Sequence, residues 1–107
     1  MATNIKISVE DTSSQTMTIT QDGAQIRIQL YWQGAPDENW YVDLTVRRGG
    51  QTYSKYGRRV LVDEALIELP SSFSLGTLYC RRRSENSLTT LTRDSFQTTH
   101  DLTYERA

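Results

Sequence analysis

His100 is the only imidazole in the chain and Cys80 the only thiol. Nucleophilic catalysis by a Ser–His or Cys–His pair needs an imidazole within hydrogen-bond reach of the nucleophile. Chain spacing alone does not say whether these two meet. In the alternating run around it, Cys80 falls with Leu78 on an apolar face, where a buried thiol is normally inert. His100 lies on a run near the end of the sequence, where packing or surface exposure is the expected role. The carboxylate pairs Asp37–Glu38 and Asp63–Glu64 are adjacent in sequence, so on an extended chain their side chains point to opposite faces. Glycosidase chemistry instead needs two carboxylates facing each other across a cleft. No phosphate loop, dinucleotide fingerprint or calcium loop occurs, and Asp22-Gly23 lacks the flanking acidic ligands of the last. No catalytic residue, metal site or cofactor is expected, and the chain does not read as an enzyme.

The arginines carry more information. Ten of the twelve basic residues are Arg, with clusters at Arg47-Arg48, Arg58-Arg59 and Arg81-Arg82-Arg83. Thirteen acids balance them, so a solvated mixed-charge surface is the plain reading. Placement adds a second one. When the apolar positions point inward, Tyr31, Tyr41 and Tyr79 point outward, and so do Arg27, Arg47 and Arg81 on the same three runs. Tyr and Arg are the residue types enriched at protein interfaces, and Arg pairs bidentately with carboxylates across a contact. Tyr31, Tyr41, Arg47, Tyr79 and Arg81 are therefore the expected contact residues. Single-stranded nucleic acid also uses Tyr and Arg as a platform. The formal net charge of −1 weakens that alternative, because phosphate binding needs local positive charge.

These side chains must be positioned by strands. The dominant signal is period-two alternation. Ile5, Ile7 and Val9 alternate with polar residues, as do Met17 and Ile19. Asp22-Gly23 between two alternating runs signals a hairpin, because Gly takes positive φ without steric cost. Ile26, Ile28, Leu30 and Trp32 share one face. After a loop over Gly34–Asn39, Trp40, Val42, Leu44 and Val46 share another. Weaker strand signals cover Gln51–Tyr56, closed by Gly57, and Arg58–Val62. Asp63–Leu69 has helix-favouring residues with room for two turns at most before Pro70. Gly76–Arg82 and Thr98–Tyr104 read as strands. Leu88–Phe96 gives an ambiguous signal, with room for one helical turn starting near Thr92. Fourteen threonines suit pleated surfaces better than helices. The expected fold is all-β: a small barrel or sandwich of six to eight mostly antiparallel strands, with at most one short helix. Residues 1–14 read as a polar arm and 15–107 as a single β domain.

Length and composition agree. A chain of 107 residues supports one compact domain. The hydrophobic share of 36% is low, yet two Trp, six Tyr and two Phe argue for a packed core. No apolar run approaches the ~18–20 residues of a membrane-spanning helix, and the first residues lack the basic and apolar regions of a secretory signal. One cysteine excludes an internal disulfide framework.

The order of features resembles the small baseplate plug proteins of contractile-tailed bacteriophages. The likeness runs from about Ser14 to Tyr104. It begins with the strand Gln15–Gln21 leading into Asp22-Gly23, followed by Ile26–Trp32 ending at a Trp. Next comes the most distinctive piece, Trp40-Tyr41-Val42-Asp43-Leu44, a Trp-Tyr-x-Asp-Leu strand. Gly49-Gly50, Gly57–Val62, Gly76-Thr77-Leu78 and the closing Leu102-Thr103-Tyr104-Glu105 complete the set. Leu91–Phe96 departs from the pattern in having neither Pro nor Gly. The resemblance implies a structural virion protein that plugs or lines the central channel of the tail baseplate. Its implied partners are hub, tube, spike and tape-measure proteins, in an oligomeric assembly, with the host cytoplasm as the site of assembly. Asp22, Gly23, Trp32, Trp40, Leu44, Gly76 and Leu102 are expected to carry the fold. The contact residues come from the alternation and are not supplied by the resemblance. A third reading, a carbohydrate-binding sandwich with Trp32 and Trp40 as platforms, conflicts with the alternation, which puts both indoles inside.

Overall fold

A computed structural model describes residues 4–21, 23–68, 76–84 and 90–105. In chain order the elements are β1 (Asn4–Ile7), β2 (Ser14–Gln21), β3 (Ala24–Gln33), β4 (Asn39–Arg48), β5 (Gln51–Arg59), β6 (Ala65–Glu68), β7 (Thr77–Arg82), α1 (Ser95–Thr98) and β8 (His100–Glu105). They form two four-stranded sheets, β1-β8-β7-β6 and β2-β3-β4-β5. Every strand pairing is antiparallel. One isolated parallel bridge joins Val62 to Cys80. The all-β expectation is met in its sandwich form.

The alternation translates directly into the layers. In β3 the buried residues are Ala24, Ile26, Ile28 and Leu30, with Gln25, Arg27 and Gln29 exposed between them. In β4, Trp40, Val42, Leu44 and Val46 face inward. Opposite them the other sheet supplies Leu78 and Cys80 from β7 and Leu102 and Tyr104 from β8. Each such side chain removed from water contributes roughly 1.5–3 kcal/mol, and a one-residue slip would turn the whole row outward. Gly23, at φ 78°, follows β2 in the tight connection to β3. Asp22 lies outside the described residues.

Three local readings change. Asp63–Leu69 was expected to favour helix, but Ala65–Glu68 is strand β6, paired with β7. The pairing buries Leu66 and Ile67 in the core, a gain that outweighs weak intrinsic propensity. The single helical turn forms at Ser95–Thr98, slightly later than Thr92. It sets Phe96 against Trp40 at 5.5 Å between centroids. Strand β5 runs through Gly57, at φ 67°, as far as Arg59. The ladder absorbs the irregularity as a register shift between Val42 and Leu44. Residues 4–7 of the N-terminal segment pair with β8 of the same chain, and Ile7 is buried there.

Candidate assembly faces

The outer face of the sheet β2-β3-β4-β5 holds three of the five expected contact residues. Tyr31 and Tyr41 are directly opposite each other across β3 and β4. Their rings stack at 5.9 Å between centroids and 20° between planes. Each phenol is tied to a carboxylate. Tyr31 donates to Asp43 Oδ1 at 3.3 Å, and Tyr41 donates a short hydrogen bond to Asp37 Oδ2. Desolvation, with the Asp43 charge behind it, raises the Tyr31 pKa. The bond to Asp37 raises that of Tyr41. Both phenols therefore stay protonated as donors. Arg59 approaches Asp37 at 3.9 Å. Asp43 Oδ1 also accepts from the Gly57 N–H at 2.6 Å, which pins the β5 irregularity to β4. Further along this face, exposed Arg47 joins Gln25, Arg27, Thr45, Thr52, Ser54 and Tyr56 around a depression of about 450 Å³.

The other two expected contact residues lie on the outer face of the opposite sheet. The Arg81 guanidinium sits 3.8 Å above the Tyr79 ring and forks onto Glu105, Nε at 2.7 Å and Nη2 at 2.9 Å. It also lies 3.8 Å from Asp63 Oδ1. Arg82 reaches Asp63 Oδ2 at 2.7 Å, and Arg83 reaches Asp101 at 2.9 Å. The three-arginine run is thus spent on carboxylates of its own chain, across β7 and β8 and at the turn after β5. The expectation of one continuous Tyr/Arg face is corrected: the sandwich separates these residues into two faces. Alternation says which side of its own strand a residue takes, but not which sheet the strand joins.

Arg81, through its hydrogen bonds, holds the Glu105 carboxyl below its ordinary value of 4.5. Its contribution to stability is therefore complete above that value and is lost as pH falls through the lowered folded value. The Arg81 side chain is 36% exposed, so solvent screening keeps the pair near 0.5–1 kcal/mol. Glu105→Gln is expected to lower stability by about that much at pH 7 and to flatten the acid limb of a denaturation–pH profile. An acid limb identical to wild type would rule the pair out as a contributor.

The residues that could do chemistry are otherwise engaged. Cys80 is fully buried, and burial pushes its thiol up to about 12, so it is neutral at ordinary pH. His100 is buried, with Nδ1 at 2.8 Å from the Thr99 hydroxyl. It pairs with Arg82 while Cys80 pairs with Leu102. Among the described residues no cluster of three or more His, Cys, Asp or Glu could hold a metal ion, and no helix is long and apolar enough to cross a membrane.

Among the residues expected to carry the fold, Trp40, Leu44 and Leu102 are buried. Trp32 is half-buried and packs edge-on against Trp40 at 5.5 Å, so only one indole is fully interior. The Gly76 N–H donates to the buried Tyr104 hydroxyl at 2.8 Å. Tyr56, 70% exposed, and Leu61, 43% exposed, stand out on the surface and were not singled out from the sequence. The signal was available for Tyr56, since Gln51–Arg59 lacks an apolar alternation and so marks an edge strand.

A family model described as cyanophage baseplate Pam3 plug gp18 matches residues 2–107. No curated protein matches the chain. The resemblance carried by Gln15–Gly23, Ile26–Trp32 and Trp40–Leu44 is accordingly a true membership: the chain belongs to the family of cyanophage baseplate plug proteins.

Proposed function

We propose that this chain is a structural, non-catalytic component of a contractile phage tail that plugs or lines the central channel of the baseplate near the hub and tube. The family match over residues 2–107 carries the reading. The two outer faces supply a mechanism for it. Tyr31 and Tyr41 are already stacked and hydrogen-bonded, so little side-chain freedom is lost when a neighbour covers them. Arg47, on the same face, offers a guanidinium to a partner carboxylate. Tyr79, capped by Arg81, offers a second, smaller patch to a different neighbour. Hub, tube, spike and tape-measure proteins are the partners this role requires, first in the host cytoplasm and then in the virion. The single-stranded nucleic-acid alternative loses ground, because Asp37 and Asp43 sit beside the tyrosine pair and would repel phosphates.

The test is incorporation into assembled tails. Wild-type chain should co-purify with tail particles and show as density on the tail axis. A Tyr31→Ala/Tyr41→Ala/Arg47→Glu variant should fold but be depleted from particles on the order of tenfold, as expected for loss of clustered interface anchors. Tails that never contain the chain would overturn the role. Equal incorporation of the variant would overturn the face.

A further inference from the structure

The edge strand β2 is built unlike the other sheet edges. Natural edges are blunted by charge, shortness, proline or a bulge. Strand β1 has four residues and carries Lys6, and β6 has only four. Strand β5 carries Lys55, Arg58 and Arg59 and breaks its ladder at Gly57. Strand β2 has eight residues, Ser-Gln-Thr-Met-Thr-Ile-Thr-Gln, with no charge, no proline and no glycine.

Its free hydrogen-bonding groups can be assigned. The Ser13 carbonyl accepts from the Trp32 N–H at 2.8 Å. In the same register Gln15, Met17 and Ile19 pair with Leu30, Ile28 and Ile26. Bonded pairs alternate with non-bonded ones in an antiparallel ladder, so the odd-numbered residues bond to β3 and the even-numbered ones face out. Ser14 agrees, since its N–H and carbonyl are both met by the Thr12 hydroxyl, at 3.3 and 2.7 Å. The outward groups of Thr16, Thr18 and Thr20 have no neighbouring strand among the described residues, because β2 ends its sheet. Met17 and Ile19, on the inward side, are only partly buried, as are Ile5 and Val9 in the same N-terminal part of the chain.

The sequence of this edge is nearly its own reverse about Thr18. Gln15 mirrors Gln21, Thr16 mirrors Thr20, and Met17 mirrors Ile19. In an isologous contact residue i meets residue j and j meets i, so this edge sets Thr against Thr and Met against Ile. We propose that β2 is a dimerisation edge on which a second copy of this chain adds its own β2, antiparallel, with Thr18 opposite Thr18 on the two-fold axis. The two sheets then join into one eight-stranded sheet. Thr16 meets Thr20 and Thr18 meets itself, and these are the outward-bonding residues, so about six backbone hydrogen bonds form. The thread of threonines lies on the outer side as favourable Thr–Thr pairs. Met17 and Ile19 of the two copies meet on the inner side and complete each other's burial. Strand β2 itself carries no charge, so none of its residues meets a like charge across the axis. This inference stands on the edge alone and does not depend on the baseplate role.

The decisive experiment uses the full chain and a position that faces itself. Light scattering with size exclusion should show the mass rising with concentration from 12.3 kDa toward twice that value. Amide exchange at Thr16, Thr18 and Thr20 should slow in step with it. Thr18→Lys places two like charges opposite each other and should weaken dimerisation on the order of tenfold or more. Because Thr18 is opposite Arg27 in its own sheet, Thr18→Lys should also lower the melting temperature of dilute protein slightly, and dimerisation is read well below that temperature. Thr18→Glu, whose carboxylate is opposite Arg27 in its own sheet, should weaken dimerisation without lowering the melting temperature, and an equimolar mixture of the two variants should recover the dimer. A wild-type chain monomeric at every concentration would overturn the proposal, as would a Thr18→Lys variant that dimerises normally. So would a β2 edge that takes up only another tail protein, a result that leaves the baseplate role intact.

Discussion

Trp40→Ala should cost about 3–5 kcal/mol of folding stability, the range for truncating a buried aromatic. Against the ~5–15 kcal/mol that holds a typical domain together, that is enough to unfold a large share of the protein near physiological temperature. Trp40 is 1% exposed and joins three parts of the molecule. It sits on β4 in the sheet β2-β3-β4-β5, meets Trp32 of β3 edge-on, and meets Phe96 of α1 edge-on. Its Nε1 donates to the Thr92 carbonyl at 3.0 Å, and the Arg93 guanidinium lies 5.5 Å from the ring. The indole thus ties residues 92–96 to the sandwich by packing and by one hydrogen bond. Trp40→Phe separates the two contributions. It keeps most of the apolar volume and removes the Nε1 donor, while the Thr92 carbonyl keeps the Ser95 N–H at 3.1 Å, and should cost about 1 kcal/mol for the lost bond. Urea unfolding followed by far-UV circular dichroism reads both values. A Trp40→Ala variant within about 1 kcal/mol of wild type, well below the range for a core aromatic, would show the indole to be peripheral. It would also revive its use as a sugar platform.

Tyr104 is the corresponding anchor of the other sheet. It is 1% exposed, on the strand that pairs with both β1 and β7. Its register partners are Ile5 and Leu78. Tyr104→Phe keeps the ring in place and removes only the acceptor for the buried Gly76 N–H. A buried donor left unpaired costs its full desolvation penalty, about 1–3 kcal/mol. Tyr104→Ala adds a cavity in a central strand and should cost about 3–5 kcal/mol in total, like other aromatic truncations. The denaturation midpoint should fall in both variants at an unchanged slope. Should the Phe variant match wild type, the Gly76 N–H must find another partner when the hydroxyl is gone.

Trp40 and Tyr104 stand in strand rows that are legible in the sequence, whereas their hydrogen bonds to Thr92 and Gly76 are not. The inward sets Ile26, Ile28, Leu30 and Trp40, Val42, Leu44, Val46 were legible because a strand repeats every two residues. Trp-Tyr-x-Asp-Leu at Trp40–Leu44 carried the family resemblance as a motif, and the alternation separately placed its indole inside and its phenol outside. Ala65–Glu68 was not legible as strand. Four residues of good helix formers carry little preference either way, and the pairing with β7 that decides the matter is remote in sequence. The ion pairs of Arg81, Arg82 and Arg83 were not legible, because their partners Glu105, Asp63 and Asp101 stand some 18 to 24 residues away.

Local order along the chain determined which residues point in and which point out, where a tight turn falls, and that the protein is made of sheets. Those properties depend on backbone geometry that repeats within a few residues. The tertiary structure alone decided that the outward tyrosines and arginines divide between two opposite faces, that a run of arginines neutralises acids of its own chain, and that, among the described residues, β2 ends its sheet. Each of these depends on which strands become neighbours. That choice is made by burial summed over the whole core, to which residues far apart in sequence contribute together.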